Sequence, residues 1–151
     1  MGPRPRMVVE TDGGEIVVVL AADEAPQTVT TLAEYIEAGH FDGVPFHRVI
    51  PNFVAQGGDV VFGDGSGTPG ARLTSEFTQI PFVRGVVGMA SSGKDTEGSQ
   101  FFFTHSPQFH LDGAYTAFGW VESGEDAMDR IQPADRIVSV RWMPDPELGG
   151  R

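Results

Sequence analysis

No apolar run in this 151-residue chain is longer than the seven residues Ile16 to Ala22, and Gly, Asp, Ser or Pro interrupts the text between such runs. That pattern excludes a membrane-spanning helix, which needs roughly 20 consecutive apolar residues. It favours many short strands instead. Phe46 to Ile50, Val86 to Met89, Phe101 to Thr104 and Thr116 to Val121 all read as strands, with turn signals about every 8 to 12 residues.

The chain opens with β-branched runs, Met7 to Thr11 and Glu15 to Leu20, around Asp12-Gly13-Gly14. An Asp-Gly pair between such runs is a strong hairpin signal. Pro26 then suits the first turn of a helix in which Val29, Leu32, Ala33 and Ile36 recur on one face before Gly39 ends it. A second, shorter helix is expected from about Gly124 to Gln132, with Ser123 as N-cap and Pro133 as the stop. In the last strand, Arg136 to Trp142, alternation puts Val138, Val140 and Trp142 on one face. These elements predict a mainly β fold, a sandwich or a barrel, closed or covered by two helices.

Length allows one domain, expected over residues 7–143, with residues 1–6 and 144–151 as flexible ends rich in Pro, Gly and charge. Ten basic against twenty-one acidic residues give a formal charge of -11, which repels nucleic acid and anionic membranes. The absence of Cys excludes disulfides and thiolate chemistry. No apolar stretch ahead of a small-residue cleavage site marks a secretory signal, so the expected location is the cytoplasm. Nothing resembles a heptad or an unexplained apolar helix face, and a monomer is expected.

Familiar catalytic motifs fail one by one. Gly65-Ser66-Gly67-Thr68-Pro69-Gly70 matches a dinucleotide fingerprint by letters, but Pro69 and the lack of a following helix contradict the required context. His40, His47, His105 and His110 lack the helical spacing and carboxylate partners of a metal site, and no G-x-S-x-G elbow is present. No metal and no cofactor are expected. What remains is a set of neutral polar and aromatic groups around one arginine. Strand alternation puts Gln100 and Phe102 on one face of β-like text and Phe101 and Phe103 on the other. Val54 and Gln56 share a face as well. On the residues alone, Arg48 reads as a solvated charge, as half of an ion pair with a distant acid, or as part of a binding surface.

Three segments in register, FHRVIPNFVAQGGD (46–59), GSQFFFTHSPQFHLDG (98–113) and AYTAFGWV (114–121), resemble the signature segments of the cyclophilin-type peptidyl-prolyl cis-trans isomerases. The resemblance implies a closed eight-stranded antiparallel β-barrel capped by two α-helices, with a catalytic groove on its outer surface. It implies catalytic roles for Arg48, Gln56 and Phe102. It also implies a substrate site of Phe53, Val54, Met89, Ala90, Ser91, Gln100, His110, Leu111 and Tyr115, of which Phe53, Met89, Phe102 and Leu111 form the proline pocket. The activity implied is isomerisation of X-Pro bonds in protein folding, acting on proline-containing peptides and unfolded or flexible segments. A proline-segment binding module of the same fold with little turnover is the alternative. Val54, His110 and Tyr115 depart from the best-known pattern, and His110, standing where an aromatic Trp or Phe is common, implies weak binding of cyclosporin.

Overall fold

A computed structural model describes residues 4–70 and 72–143. Eight strands form one antiparallel sheet: β1 (Arg6–Thr11), β2 (Gly14–Leu20), β3 (Arg48–Ile50), β4 (Val54–Gly57), β5 (Val86–Met89), β6 (Phe101–Thr104), β7 (Ala117–Ser123) and β8 (Ile137–Met143). Two helices, α1 (Pro26–Glu37) and α2 (Glu125–Asp129), interrupt the strand succession. The strand order is β3-β4-β6-β5-β7-β2-β1-β8. The expected opening hairpin is present, with Thr11 opposite Gly14, although β1 begins at Arg6, one residue early. Residues 1–3 and 144–151 of the expected flexible ends lie outside the described residues.

The sheet is an open, curled half-barrel and not the closed barrel the resemblance implied. Among the described residues, β3 and β8, the two ends of the order, share no ladder. The segments leading into them are tied instead by an isolated bridge between Pro45 and Arg136 and by backbone bonds from Phe46 to Asp135 and between residues 43–44 and Ile137. Pro45 has no N–H to offer a ladder, and β3 is only three residues long, so regular pairing cannot continue across this seam.

Two apolar clusters lie on opposite faces of the sheet. The inner one contains Phe41, Phe46, Phe101, Phe103 and Phe118 with the buried residues of β1, β2 and α1. Phe101 meets Phe41 and Phe103 edge to face at ring-centroid distances of 5.7 and 5.8 Å, a favoured aromatic geometry. The outer one contains Val54, Phe82, Val86, Phe102, Leu111 and Ala117. Helix α1 buries Val29, Leu32 and Ile36 as its periodicity predicts, with Ala33 half-buried at the edge of that stripe. Its N-terminus is capped from afar: Glu76 accepts hydrogen bonds from the backbone of Gln27 and Thr28 and from the Thr28 hydroxyl, satisfying otherwise orphaned donors.

Two local expectations fail for identifiable reasons. Helix α2 stops at Asp129, and Ser123 is not its cap, because Ser123 remains paired with Val17 in β7. The cap position falls to Gly124 at φ 91°, where any side chain would collide with the Glu15 carbonyl. In β8, Val138 is exposed while Ile137 and Val140 are buried. Thr11 faces Ile137 but Glu10 faces Ser139, so Val138 is the extra residue of a bulge that breaks the alternation.

Candidate active site

Register builds the site. Across four adjacent strands, Arg48 faces Gln56, Gln56 faces Phe102, and Phe102 faces Gly88, so these residues form one row on the outer face. The glycine is needed there, since a Cβ on Gly88 would lie 2.7 Å from Phe102 Cζ and 2.8 Å from Phe82 Cε1. Phe102 stacks on Phe82 at 5.6 Å and receives Tyr115 edge-on at 6.0 Å, which fixes its ring as the floor of a groove. The tight turn between β3 and β4, with Asn52 at φ 60°, presents Phe53 at one wall. A 3-10 turn, Phe109–Leu111, supplies Leu111.

The resulting cavity of about 200 Å³ is lined by Arg48, Phe53, Val54, Gln56, Ala90, Ser91, Phe102, Leu111 and Tyr115. Nine of the twelve residues implied by the resemblance are thus brought together. His110 stands at its margin, stacked on Phe53 at 6.0 Å, and Gln100 lies behind Gln56. Met89 does not belong. It is fully buried in the inner cluster, because β5 is buried on both faces and Met89, next to Gly88, points to the opposite side from the groove.

Arg48 makes no ion pair among the described residues. Its Nη1 donates to Gln56 Oε1 at 3.3 Å, and its guanidinium lies 5.9 Å from the Phe53 ring centroid. Gln56 Nε2 donates in turn to Gln100 Oε1 at 3.2 Å, and Gln100 Nε2 donates to the carbonyls of Gly65 and Gly67. The cation is therefore held by a chain of neutral amides. Among the described residues, no carboxylate competes for its remaining N–H groups, which stay available to an acceptor inside an apolar cavity.

The next layer was not visible in the sequence. Asp59 is fully buried and accepts the backbone N–H groups of Val61, Phe62, Gly65 and Gly67. Burial alone would raise its pKa, but the four donors outweigh burial and hold the carboxyl well below the ordinary aspartate range. The loop that looked like a nucleotide fingerprint is thus folded around an internal anion. His47 packs against Gly65, with Nε2 3.5 Å from Gln56 Nε2 and Nδ1 buried without a partner among the described residues. Burial pushes its pKa down, against the opposing pull of Asp59 and Asp64, favouring the neutral ring. Phe82 was missed too, since nothing in its local text separates it from other apolar residues.

Comparison with known proteins agrees with this fold. Over 140 residues the chain is 40% identical to a peptidyl-prolyl cis-trans isomerase of Synechococcus elongatus, covering 91% of this chain and 96% of the relative. It is 42% identical over 132 residues to peptidyl-prolyl cis-trans isomerase B of Bacillus subtilis, covering 86% and 92%. The crystal structure of a Cryptosporidium parvum cyclophilin-type isomerase superposes with a TM-score of 0.86 at 25% identity, covering 93% of this chain and 98% of that one. A second structure of that protein, in the presence of the dipeptide Ala-Pro, gives 0.84, covering 90% and 97%. The family model described as cyclophilin type peptidyl-prolyl cis-trans isomerase matches residues 6–146. With its fold and most of its length in agreement, the chain belongs to the cyclophilin-type peptidyl-prolyl cis-trans isomerase family.

Proposed function

We propose that this chain is a peptidyl-prolyl cis-trans isomerase that accelerates rotation of X-Pro bonds by stabilising the twisted amide. The observation that carries the reading is the row Arg48–Gln56–Phe102, which sets a guanidinium with uncommitted donors beside an apolar cavity. The barrier of about 18–20 kcal/mol to amide rotation is mainly lost resonance, and no covalent bond breaks, so no acid, base or nucleophile is required. As the bond twists, the prolyl nitrogen becomes pyramidal and gains a lone pair. Arg48, always protonated, donates to that lone pair and so binds the twisted state better than the planar one. Phe53, Val54, Phe102 and Leu111 hold the proline ring while the acyl side turns. Gln56 orients Arg48, Gln100 orients Gln56, and Ala90 and Ser91 line the path of the peptide backbone, with His110 and Tyr115 at the margins.

Since the uncatalysed step takes tens of seconds, a 10⁵-fold acceleration needs only about 7 kcal/mol. One charged hydrogen bond, pocket binding and desolvation together suffice for that. The reading assigns general assistance to folding clients in the cytoplasm, by a monomer with weak affinity for cyclosporin. Two-dimensional exchange NMR on a short Ala-Pro peptide tests it. Cis–trans cross-peaks that grow with catalytic amounts of protein are expected. Shift changes that report binding without added exchange would overturn it in favour of a binding module.

A further inference from the structure

The groove adjoins a second cavity of about 270 Å³, with which it shares Gln56, Ala90 and Ser91. The two differ sharply in chemistry. The second is polar, and its walls include Thr68, Arg72, Ser91 and Ser92. Among the described residues, the exposed Arg72 has no hydrogen bond or ion pair, and the hydroxyls of Thr68, Ser91 and Ser92 have no partner either. Among the described residues, no carboxylate lines either cavity, although the chain carries twenty-one acidic residues against ten basic ones. The two acids of the adjacent loop are engaged elsewhere: Asp59 by four backbone N–H groups, Asp64 by the hydroxyl and backbone N–H of Ser66.

The overall charge of -11 would by itself favour basic peptides. At physiological ionic strength, however, the Debye length is about 8 Å, so acids on remote faces are largely screened. Asp59 and Asp64 stay charged behind the loop, but a client carboxylate in direct contact with Arg72 meets that cation first. We propose that the site selects client segments that carry an acidic side chain near the proline, with Arg72 as the residue that reads it. The carboxylate would sit against the guanidinium and take hydrogen bonds from the free hydroxyls, while the proline occupies the apolar cavity. The inference rests on the reading of the apolar groove as the X-Pro site.

The test is a set of otherwise identical Ala-Pro peptides with Glu, Ala or Lys at successive positions on each side of the dipeptide, assayed near physiological salt. At one position the Glu peptide should exceed its Lys counterpart in kcat/KM by about two- to fivefold, the usual value of an exposed ion pair. Arg72→Gln should abolish the difference and Arg72→Glu reverse it, with turnover of the neutral peptide unchanged. Equal turnover at every position, or an acidic preference that survives Arg72→Glu, would overturn the inference. Turnover of the neutral peptide reports separately on the isomerase reading. Amide shifts of Arg72 and Ser92 on titration with the Glu and Lys peptides report the selectivity even without turnover.

Discussion

Replacing Arg48 separates what the residue does for the fold from what it does for the reaction. Arg48→Ala removes one 3.3 Å hydrogen bond to Gln56 and one ring contact at 5.9 Å, both on an exposed side chain. Interactions of this kind are worth about 0.5–1 kcal/mol each at most, and solvent weakens them. A loss of about 1 kcal/mol lowers Tm by about 2–4 °C in a chain of this size. The effect on rate should be far larger. Among the described residues, Arg48 is the only charged side chain lining the apolar cavity, and deleting one preorganised donor aimed at charge that develops in a transition state costs about 10²–10³ in rate, or about 2.7–4 kcal/mol. Arg48→Lys keeps the charge but loses the planar fork, and should fall between wild type and Arg48→Ala. A protease-coupled X-Pro assay with a parallel thermal melt measures both quantities. If Arg48→Ala kept kcat/KM within about threefold of wild type while Tm was unchanged, the donor role assigned to the guanidinium would be wrong.

Two further outcomes follow from the packing around the site. Gly88→Ala should lower Tm by several degrees and raise KM, because the new methyl must displace the stacked Phe102 and Phe82 rings that form the groove floor; melts and initial rates on the same preparation check this. Asp59→Asn should destabilise the fold by about 2–4 kcal/mol at neutral pH, because four N–H donors lose their anion. The folded carboxyl is depressed, so its contribution is fully present above the unfolded value of about 3.9 and is lost as pH falls through the folded value. Urea melts of both proteins should therefore differ most near pH 7 and converge only in strong acid.

Sequence pattern was most informative where one periodicity governed a whole element. The Asp12-Gly13 hairpin and the buried stripe of α1 needed only local chemistry, and both are where the text puts them. It failed where a second strand decided the outcome. The bulge at Val138 depends on how β8 meets β1, and Ser123 was retained by its pairing with Val17, neither of which is written locally. The site shows the same division. Arg48, Gln56 and Phe102 were legible through the family resemblance, and register then explained why they meet. Met89 was misplaced because β5 is apolar on both faces, so text alone does not reveal which side faces the groove. Asp59 and His47 went unseen because their partners are backbone amides and a neighbouring strand's amide, which leave no compositional trace.

The loop wrapped around Asp59 has a consequence for how this protein can change. All four of its anchoring bonds end on main-chain N–H groups, which every residue but proline provides. Only Gly65 and Gly67 are tied to their identities, since a side chain at either would strike His47 or Asp59. Exposed Val61 and Phe62 carry no such obligation. One buried charge thus leaves exposed side chains of this loop free to vary without disturbing the amide chain that steadies Arg48.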